Sequence, residues 1–218
     1  MVLNGVSIVT TTWNEKENIT KLILAIRTAL QCLPHEIIII DDSSPDGTIY
    51  VARRLADVAV AKVREGQSKG LLYGMRLAKY PVIVTIDADL ENDPKLIPEL
   101  LQQTSEYDIV VASRTNIPRV SEKITSKIIG KLFGVTDFFY NYRAYKKEII
   151  SKFNLKDGET FGAEFLVIAK KHKLRIGEIT YEPPPRRSNP RIGGIVKANL
   201  RILWALVKSN NLSLLKLP

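Results

Sequence analysis

The sequence predicts one α/β domain, spanning residues 1–218, built on a mostly parallel, Rossmann-like sheet flanked by helices. Three observations carry that prediction. Short apolar runs rich in β-branched residues recur along the first half of the chain, each ending in polar residues, as strands buried on both faces of a parallel sheet do. Stretches of helical period fall between them. With 218 residues, 45% of them hydrophobic, the chain is long enough for one sizeable core and short for two.

In order, Val6 to Thr10 reads as the first strand. Glu17 to Leu30 follows as a helix with apolar Ile19, Leu22, Ile23, Ile26 and Leu30. Glu36 to Ile40, Val82 to Ile86 and Ile109 to Ala112 repeat the strand pattern, and Thr48 to Leu55, Gly70 to Ala78 and Pro94 to Gln102 read as helices. Such alternation winds a parallel sheet on both sides and collects ligands at the carboxyl ends of its strands. Past Arg114 the pattern loosens. Ser121 to Phe133 reads as an amphipathic helix with Lys123, Lys127 and Lys131 in one stripe, and Ala163 to Lys171 as another helix. Ile176 to Tyr181 reads as a strand, Pro183 to Arg191 as an extended Pro/Arg segment, and Ile195 to Lys208 as a helix with Lys197, Arg201 and Lys208 on one face.

Charge divides the chain into two halves. Residues 1–113 hold 11 Lys/Arg against 15 Asp/Glu, whereas residues 114–218 hold 21 against 8, within a total of +9. The second half therefore calls for an anionic partner, and nucleic acid, anionic lipid or a phosphorylated substrate would each meet that demand. The single cysteine, Cys32, excludes an internal disulfide, and the opening residues lack a secretory pattern, so a reducing, cytoplasmic site is expected. No apolar run approaches the ~20 residues of a membrane-spanning helix.

Chemistry-bearing residues stand at three strand ends. Asp87, Asp89 and Glu91 follow the run from Val82; alternate residues of an extended chain point the same way, so three carboxylates are expected to converge on a Mg²⁺ or Mn²⁺ ion shared with a diphosphate. A solvated acidic turn capping the helix from Pro94 is the plainer alternative. The pair Asp41 and Asp42 ends the run from Ile37, where a carboxylate suits a nucleotide base or ribose, while Asp46, Gly47 and Thr48 suit a turn and helix cap. Thr11, Thr12, Trp13, Asn14 and Glu15 at the first strand's end supply an aromatic plane and a further acid.

These stretches, in this order, resemble the inverting GT-A glycosyltransferases of family 2, and within them the polyprenyl-phosphate sugar transferases of the dolichol-phosphate mannose synthase type. That family has P-T-Y-N-E, V-D-D-x-S-P-D-G-T and D-A-D-L-Q where this chain has Thr11 to Glu15, Ile40 to Thr48 and Asp87 to Glu91. The likeness continues through Gly70, through Ala112 to Arg114, and through Asp137 and Asn141 to Tyr145, and ends near Arg191. Departures are Thr11 for proline, Ser43 for glycine, Glu91 for the usual glutamine, and Phe138 to Asn141 for a Pro-x-Ser-Gly stretch.

The resemblance implies that Thr11, Trp13, Glu15, Asp42, Asp87, Ala88 and Arg186 hold the nucleotide sugar, and that Asp87, Asp89 and Glu91 hold the metal. It places Arg114, Ser126, Arg186 and Arg191 against the acceptor phosphate, and Asp89, Arg114 and Asp137 at the reaction centre. Mannose would pass from GDP-mannose to a polyprenyl phosphate with inversion, on the cytoplasmic face of a membrane to which the protein binds peripherally through anionic lipid or a membrane-anchoring subunit. Another sugar from a UDP donor, or a soluble acceptor, remains open. A non-catalytic nucleotide or nucleic-acid binder is the alternative of another class; aromatics on the basic stripes are sparse and no nucleic-acid motif is present, so no nucleic-acid partner is expected. His35 and His172 fall outside every motif and read as structural or surface residues.

Overall fold

The computed structural model describes residues 4–116, 134–137, 140–152, 165–166 and 169–184. The sequence-predicted segments Ser121 to Phe133 and Ile195 to Lys208 lie outside these, as do residues 185–191 of the Pro/Arg segment.

Among the described residues seven strands form one sheet: β1 (Val6–Thr12), β2 (His35–Asp41), β3 (Val58–Ala61), β4 (Val82–Thr85), β5 (Ile109–Arg114), β6 (Arg143–Lys146) and β7 (Ile176–Tyr181). Their order is β3-β2-β1-β4-β6-β5-β7. β6 is antiparallel to both β4 and β5, while the other pairings are parallel, so six of these strands point one way and β6 runs against them. The carboxyl ends of the six and the amino end of β6 therefore share one edge of the sheet. That reversal brings the residues before β6 to the same edge as the ends of β1, β2, β4 and β5.

Alternation along the strands builds two cores. Ile8, Ile37, Ile39, Val84 and Val110 face one side and pack with Ile19, Leu22, Ile23 and Ile26 of α1 (Lys16–Ala29) and with Ile97 and Leu100 of α4 (Ile97–Gln103). Val9, Ile38, Ile40, Ile83 and Val111 face the other side, against Leu71, Leu72 and Met75 of α3 (Gln67–Leu77) and Ile149 of α5 (Lys147–Lys152). The central strands are hydrophobic on successive residues because both faces are covered, and each isoleucine so buried contributes ~1.5–3 kcal/mol of transfer free energy. Helix α3 comes close to the sheet because of its glycines. A Cβ at Gly70 would lie 2.6 Å from Thr11 Cγ2, and one at Gly74 would lie 2.5 Å from Val9 Cγ1.

Two strands and several boundaries differ from the sequence reading. β3 and β6 were not expected, α3 begins three residues earlier than Gly70, and the segment from Pro94 opens as a 3-10 turn at Pro94–Leu96 before α4. α2 (Thr48–Leu55) and β7 match the predicted limits.

Candidate active site

Three loops at the carboxyl edge are held in sterically demanding conformations. Asn14, Ser43 and Leu90, which follow β1, β2 and β4, have φ of 57°, 59° and 62°. Left-handed backbone is uncommon outside glycine and unfavourable for leucine, and such residues gather at functional sites when their surroundings hold them there.

The surroundings of the first two loops form one hydrogen-bonded unit. Asp41 accepts from Thr12 Oγ1 at 2.7 Å, from Ser44 Oγ at 2.6 Å and from the Ser44 amide at 2.8 Å. Ser44 Oγ in turn accepts from the Asn14 amide at 3.0 Å. Asp46 caps α2 through the Thr48 amide at 2.9 Å and also accepts from the Lys16 amide at 3.1 Å, tying the starts of α1 and α2 together. Asp41 thus works as a structural brace between two strand ends, and Asp42 is left to face the neighbouring loop.

Asp42 pairs with Lys62 and accepts from the Gly66 amide at 2.9 Å. The Arg64 guanidinium lies 3.5 Å over the Trp13 ring, a cation–π stack. The loop between β3 and α3 therefore covers the aromatic plane and the acid that the sequence singled out. Glu15, buried at the start of α1, accepts from Asn18 Nδ2 at 2.8 Å. Thr11 packs under Gly70.

At the end of β4, Asp87 accepts from Gln67 Nε2 at 2.6 Å. Its carboxyl is pushed up to about 7 by burial and by the charges of Asp89 and Glu91, while Arg114 and the Gln67 bond act the other way. Asp89 turns one carboxylate oxygen to the Glu91 amide at 3.0 Å. The expected convergence of three carboxylates needs correction. Among the described residues no group of three or more His, Cys, Asp or Glu side chains is assembled to hold a metal ion. β4 ends at Thr85 and Leu90 reverses the backbone, so residues 87–91 form a turn, and the alternation of an extended strand does not reach them. Ala88 buries its methyl in the core, leaving its backbone at the loop.

An open site of this kind still suits a hard divalent ion. Mg²⁺ uses one or two protein carboxylates and completes its shell with water and phosphate oxygens, and a carboxyl whose proton is retained by neighbouring acids gains by exchanging that proton for a cation. Asp87 and Asp89 fit that role.

Arg114, the last residue of β5, stands opposite. Its Nε donates to Asp137 Oδ2 at 2.6 Å and its Nη2 to Asp137 Oδ1 at 3.2 Å, with Asp137 only 1% exposed. The guanidinium lies 3.9 Å over the Tyr140 ring. Burial raises the Tyr140 and Tyr181 hydroxyls far above their ordinary value, so both stay protonated, and Tyr181 Oη donates to Asn92 Oδ1 at 2.7 Å. The sheet edge thus presents an acidic lip from β4 and a cationic lip from β5, within electrostatic reach of each other.

Thr11, Trp13, Glu15, Asp42, Asp87, Asp89, Glu91, Arg114 and Asp137 all lie along this edge. Ser126, Arg186 and Arg191 lie outside the described residues. Lys62, Arg64, Gln67 and Tyr140 were not singled out from the sequence. Arg64 and Lys62 carried one usable signal, two cations in a short loop facing a pair of acids. His35 is a structural residue, its Nδ1 2.7 Å from the Leu33 carbonyl.

The sheet order, with its single reversed strand and its site at the carboxyl edge, is a GT-A-type α/β fold. The chain belongs to glycosyl transferase family 2, whose model matches residues 7–172. A dolichol-phosphate mannosyltransferase of Pyrococcus furiosus is 30% identical, the match covering 93% of this chain and 64% of that protein. An undecaprenyl-phosphate 4-deoxy-4-formamido-L-arabinose transferase of Aeromonas hydrophila is 32% identical over 66% of this chain and 50% of its own length. The chain therefore spans between half and two thirds of the length of these relatives. Glucosyl-3-phosphoglycerate synthase of Mycobacterium tuberculosis, solved with phosphoglyceric acid, superposes with a TM-score of 0.74 at 21% identity, covering 94% of this chain and 79% of that one. The same enzyme solved with Mg²⁺ and uridine diphosphate gives 0.75 at 20% identity, over the same shares. At these identities the likeness is one of fold.

Proposed function

We propose that this chain is the catalytic domain of a divalent-metal-dependent, inverting glycosyltransferase that moves a sugar from a nucleoside diphosphate to a polyprenyl phosphate, with mannose from GDP-mannose as the first donor to test. The observation that carries this reading is the opposition of Asp87 and Asp89 to the Arg114–Asp137 pair across the carboxyl edge of the sheet. Family membership and the lipid-phosphate acceptors in the relatives' names support it.

In this reading Trp13, Glu15 and Asp42 receive the nucleoside, with the Lys62 to Gly66 loop closing over them. A bound Mg²⁺ or Mn²⁺ would supply charge neutralisation at the diphosphate; structural neighbours are described in complex with uridine diphosphate and either ion. Asp87 and Asp89 would hold that ion. Arg114, fixed by Asp137 and Tyr140, presents a preorganised cation to the phosphates. The acceptor's phosphate oxygen attacks the anomeric carbon, the bond from that carbon to the diphosphate oxygen breaks, and the electron pair leaves with the nucleoside diphosphate. An ionised phosphate needs no strong base, so stabilising the departing charge is the main task of the side chains.

Among the described residues no helix is long and apolar enough to cross a membrane. The cationic stripes that the sequence predicts at Lys123, Lys127 and Lys131 and at Lys197, Arg201 and Lys208 support a peripheral position on anionic lipid. The test is sugar transfer from a panel of labelled GDP- and UDP-sugars, offered a polyprenyl phosphate or water-soluble phosphate acceptors, with metal or EDTA. Metal-dependent label in the lipid supports the proposal. Label only in a soluble acceptor overturns its acceptor, and no transfer or hydrolysis from any donor overturns the enzyme.

A further inference from the structure

Asp137 sits in no helix or strand, yet it holds the site's arginine, and what fixes it comes from β5 and β7. Glu178 of β7 gathers three donors on a single carboxylate oxygen, Oε1. Ser113 Oγ and the Thr136 amide donate to it, and Thr136 Oγ1 donates at 2.7 Å. The Asp137 amide then donates to Ser113 Oγ at 3.2 Å.

Ser113 and Arg114 are consecutive residues of β5, so their side chains point to opposite faces of the sheet. Residues 136–137 straddle the strand end: their backbone is pinned to Ser113 on one face, and the Asp137 carboxylate reaches Arg114 on the other. Glu178 pairs in register with Val111 and lies on the Ser113 side of β5. Its three bonds fix the residue that sets the direction of the arginine.

We propose that Glu178 is a positioning residue for the reaction: it locks Thr136 and Asp137 to the end of β5, and so aims the Arg114 guanidinium at the leaving phosphates. A carboxylate suits this place because one oxygen can accept several short, charge-assisted bonds, which a hydroxyl or an amide does less strongly. This inference rests on the proposed role of Arg114, and its structural part can be read without turnover.

The experiment compares Glu178→Ala and Glu178→Gln in the wild-type and Asp137→Asn backgrounds. Amide hydrogen exchange at Thr136 and Asp137, thermal melting, and kcat and KM for the nucleotide sugar are measured for each. The expected result is faster exchange at Thr136 and Asp137 in Glu178→Ala. Turnover falls roughly 10- to 100-fold with donor KM little changed, as when a reacting geometry is loosened from a distance. Glu178→Gln, which keeps an acceptor oxygen, recovers part of both. In the Asp137→Asn background, Glu178→Ala costs little further turnover, because the two act through one arginine.

Unchanged exchange at Thr136 and Asp137 in Glu178→Ala overturns the proposal whatever the activity. Losses from Glu178→Ala and Asp137→Asn that multiply overturn it as well, by showing that Glu178 acts elsewhere. If Glu178→Ala melts before it can be assayed, Glu178→Gln and Ser113→Ala supply the same comparison. A wild-type protein that transfers no sugar removes the reading of Arg114, while the exchange data still decide whether Glu178 fixes Asp137.

Discussion

Gln67 Nε2 donates to Asp87 Oδ1 at 2.6 Å, so the first residue of α3 holds the first acid beyond β4. Gln67 is exposed and fills no part of the core, and removing it should disturb the acid without disturbing the fold. Gln67→Ala is expected to weaken Mn²⁺ affinity in the presence of nucleoside diphosphate roughly tenfold, with the melting temperature nearly unchanged. Titration calorimetry checks this, and equal affinities would show that Asp87 needs no such support.

Asp87 also gives the metal-free protein a pH signature. Its folded carboxyl titrates at about 7 against an ordinary value of 3.8, chiefly through burial and then through Asp89. Within that window the unfolded chain has released the proton and the folded chain retains it, so the folded state binds more protons and stability falls as pH rises. Below 3.8 the effect is absent, and above about 7 the loss is complete. Thermal melts in EDTA across this window should show a decline that Asp87→Asn flattens. A wild-type midpoint that does not decline relative to Asp87→Asn would contradict the assigned environment.

The helix-to-sheet contact makes a steric prediction. A Cβ at Gly74 would lie 2.5 Å from Val9 Cγ1 and 3.1 Å from Ile40 Cγ1, inside a core with no room to yield. Gly74→Ala is expected to destabilise the fold by about 1–3 kcal/mol, although alanine favours helix. Denaturant unfolding measures it, and a stabilised variant would mean that α3 sits further from the sheet.

The central parallel strands were legible because burial on both faces demands runs such as Ile37 to Ile40, which nothing else in the chain imitates. β3 and β6 were not legible for opposite physical reasons. β3 is four small or β-branched residues only partly buried, too short for a pattern. β6 opens with Arg143, a fully buried arginine whose charge reads as loop. Without β6 the reversal that brings Asp137 and Tyr140 to Arg114 is invisible, and the likeness of Asp137 to a family motif was the only signal of its place. The acids at 41, 42, 87 and 89 stood out because they end buried runs. Lys62 and Gln67, which bond Asp42 and Asp87, and Arg64, which stacks on Trp13, did not, since a solvated side chain and one turned into a site look alike until the chain folds. The separate surroundings of Asp41, a brace between strand ends, and Asp42, facing the β3–α3 loop, likewise needed the hydrogen bonds from Thr12 and Ser44.

The basic second half makes a prediction at the membrane. The protein is expected to bind anionic vesicles at low salt and to release them as salt rises, each Lys or Arg near the surface contributing about 1 kcal/mol. Lys123→Glu with Lys127→Glu, and Lys197→Glu with Arg201→Glu, should each weaken binding in a flotation assay. Indifference of the wild-type protein to anionic vesicles at low salt would point to a soluble acceptor or a separate anchoring subunit.

The claim on which the account depends is that the acids after β4 and the arginine ending β5 grip a diphosphate through a divalent ion. Calorimetric titration of GDP and UDP into the wild-type protein and Asp89→Ala, with Mn²⁺, with Mg²⁺ and with EDTA, tests it directly. The account predicts that at least one nucleotide binds the wild-type protein tenfold or more tightly with metal than with EDTA, and that Asp89→Ala removes most of that difference. Equal affinity of the wild-type protein with metal and with EDTA would contradict it.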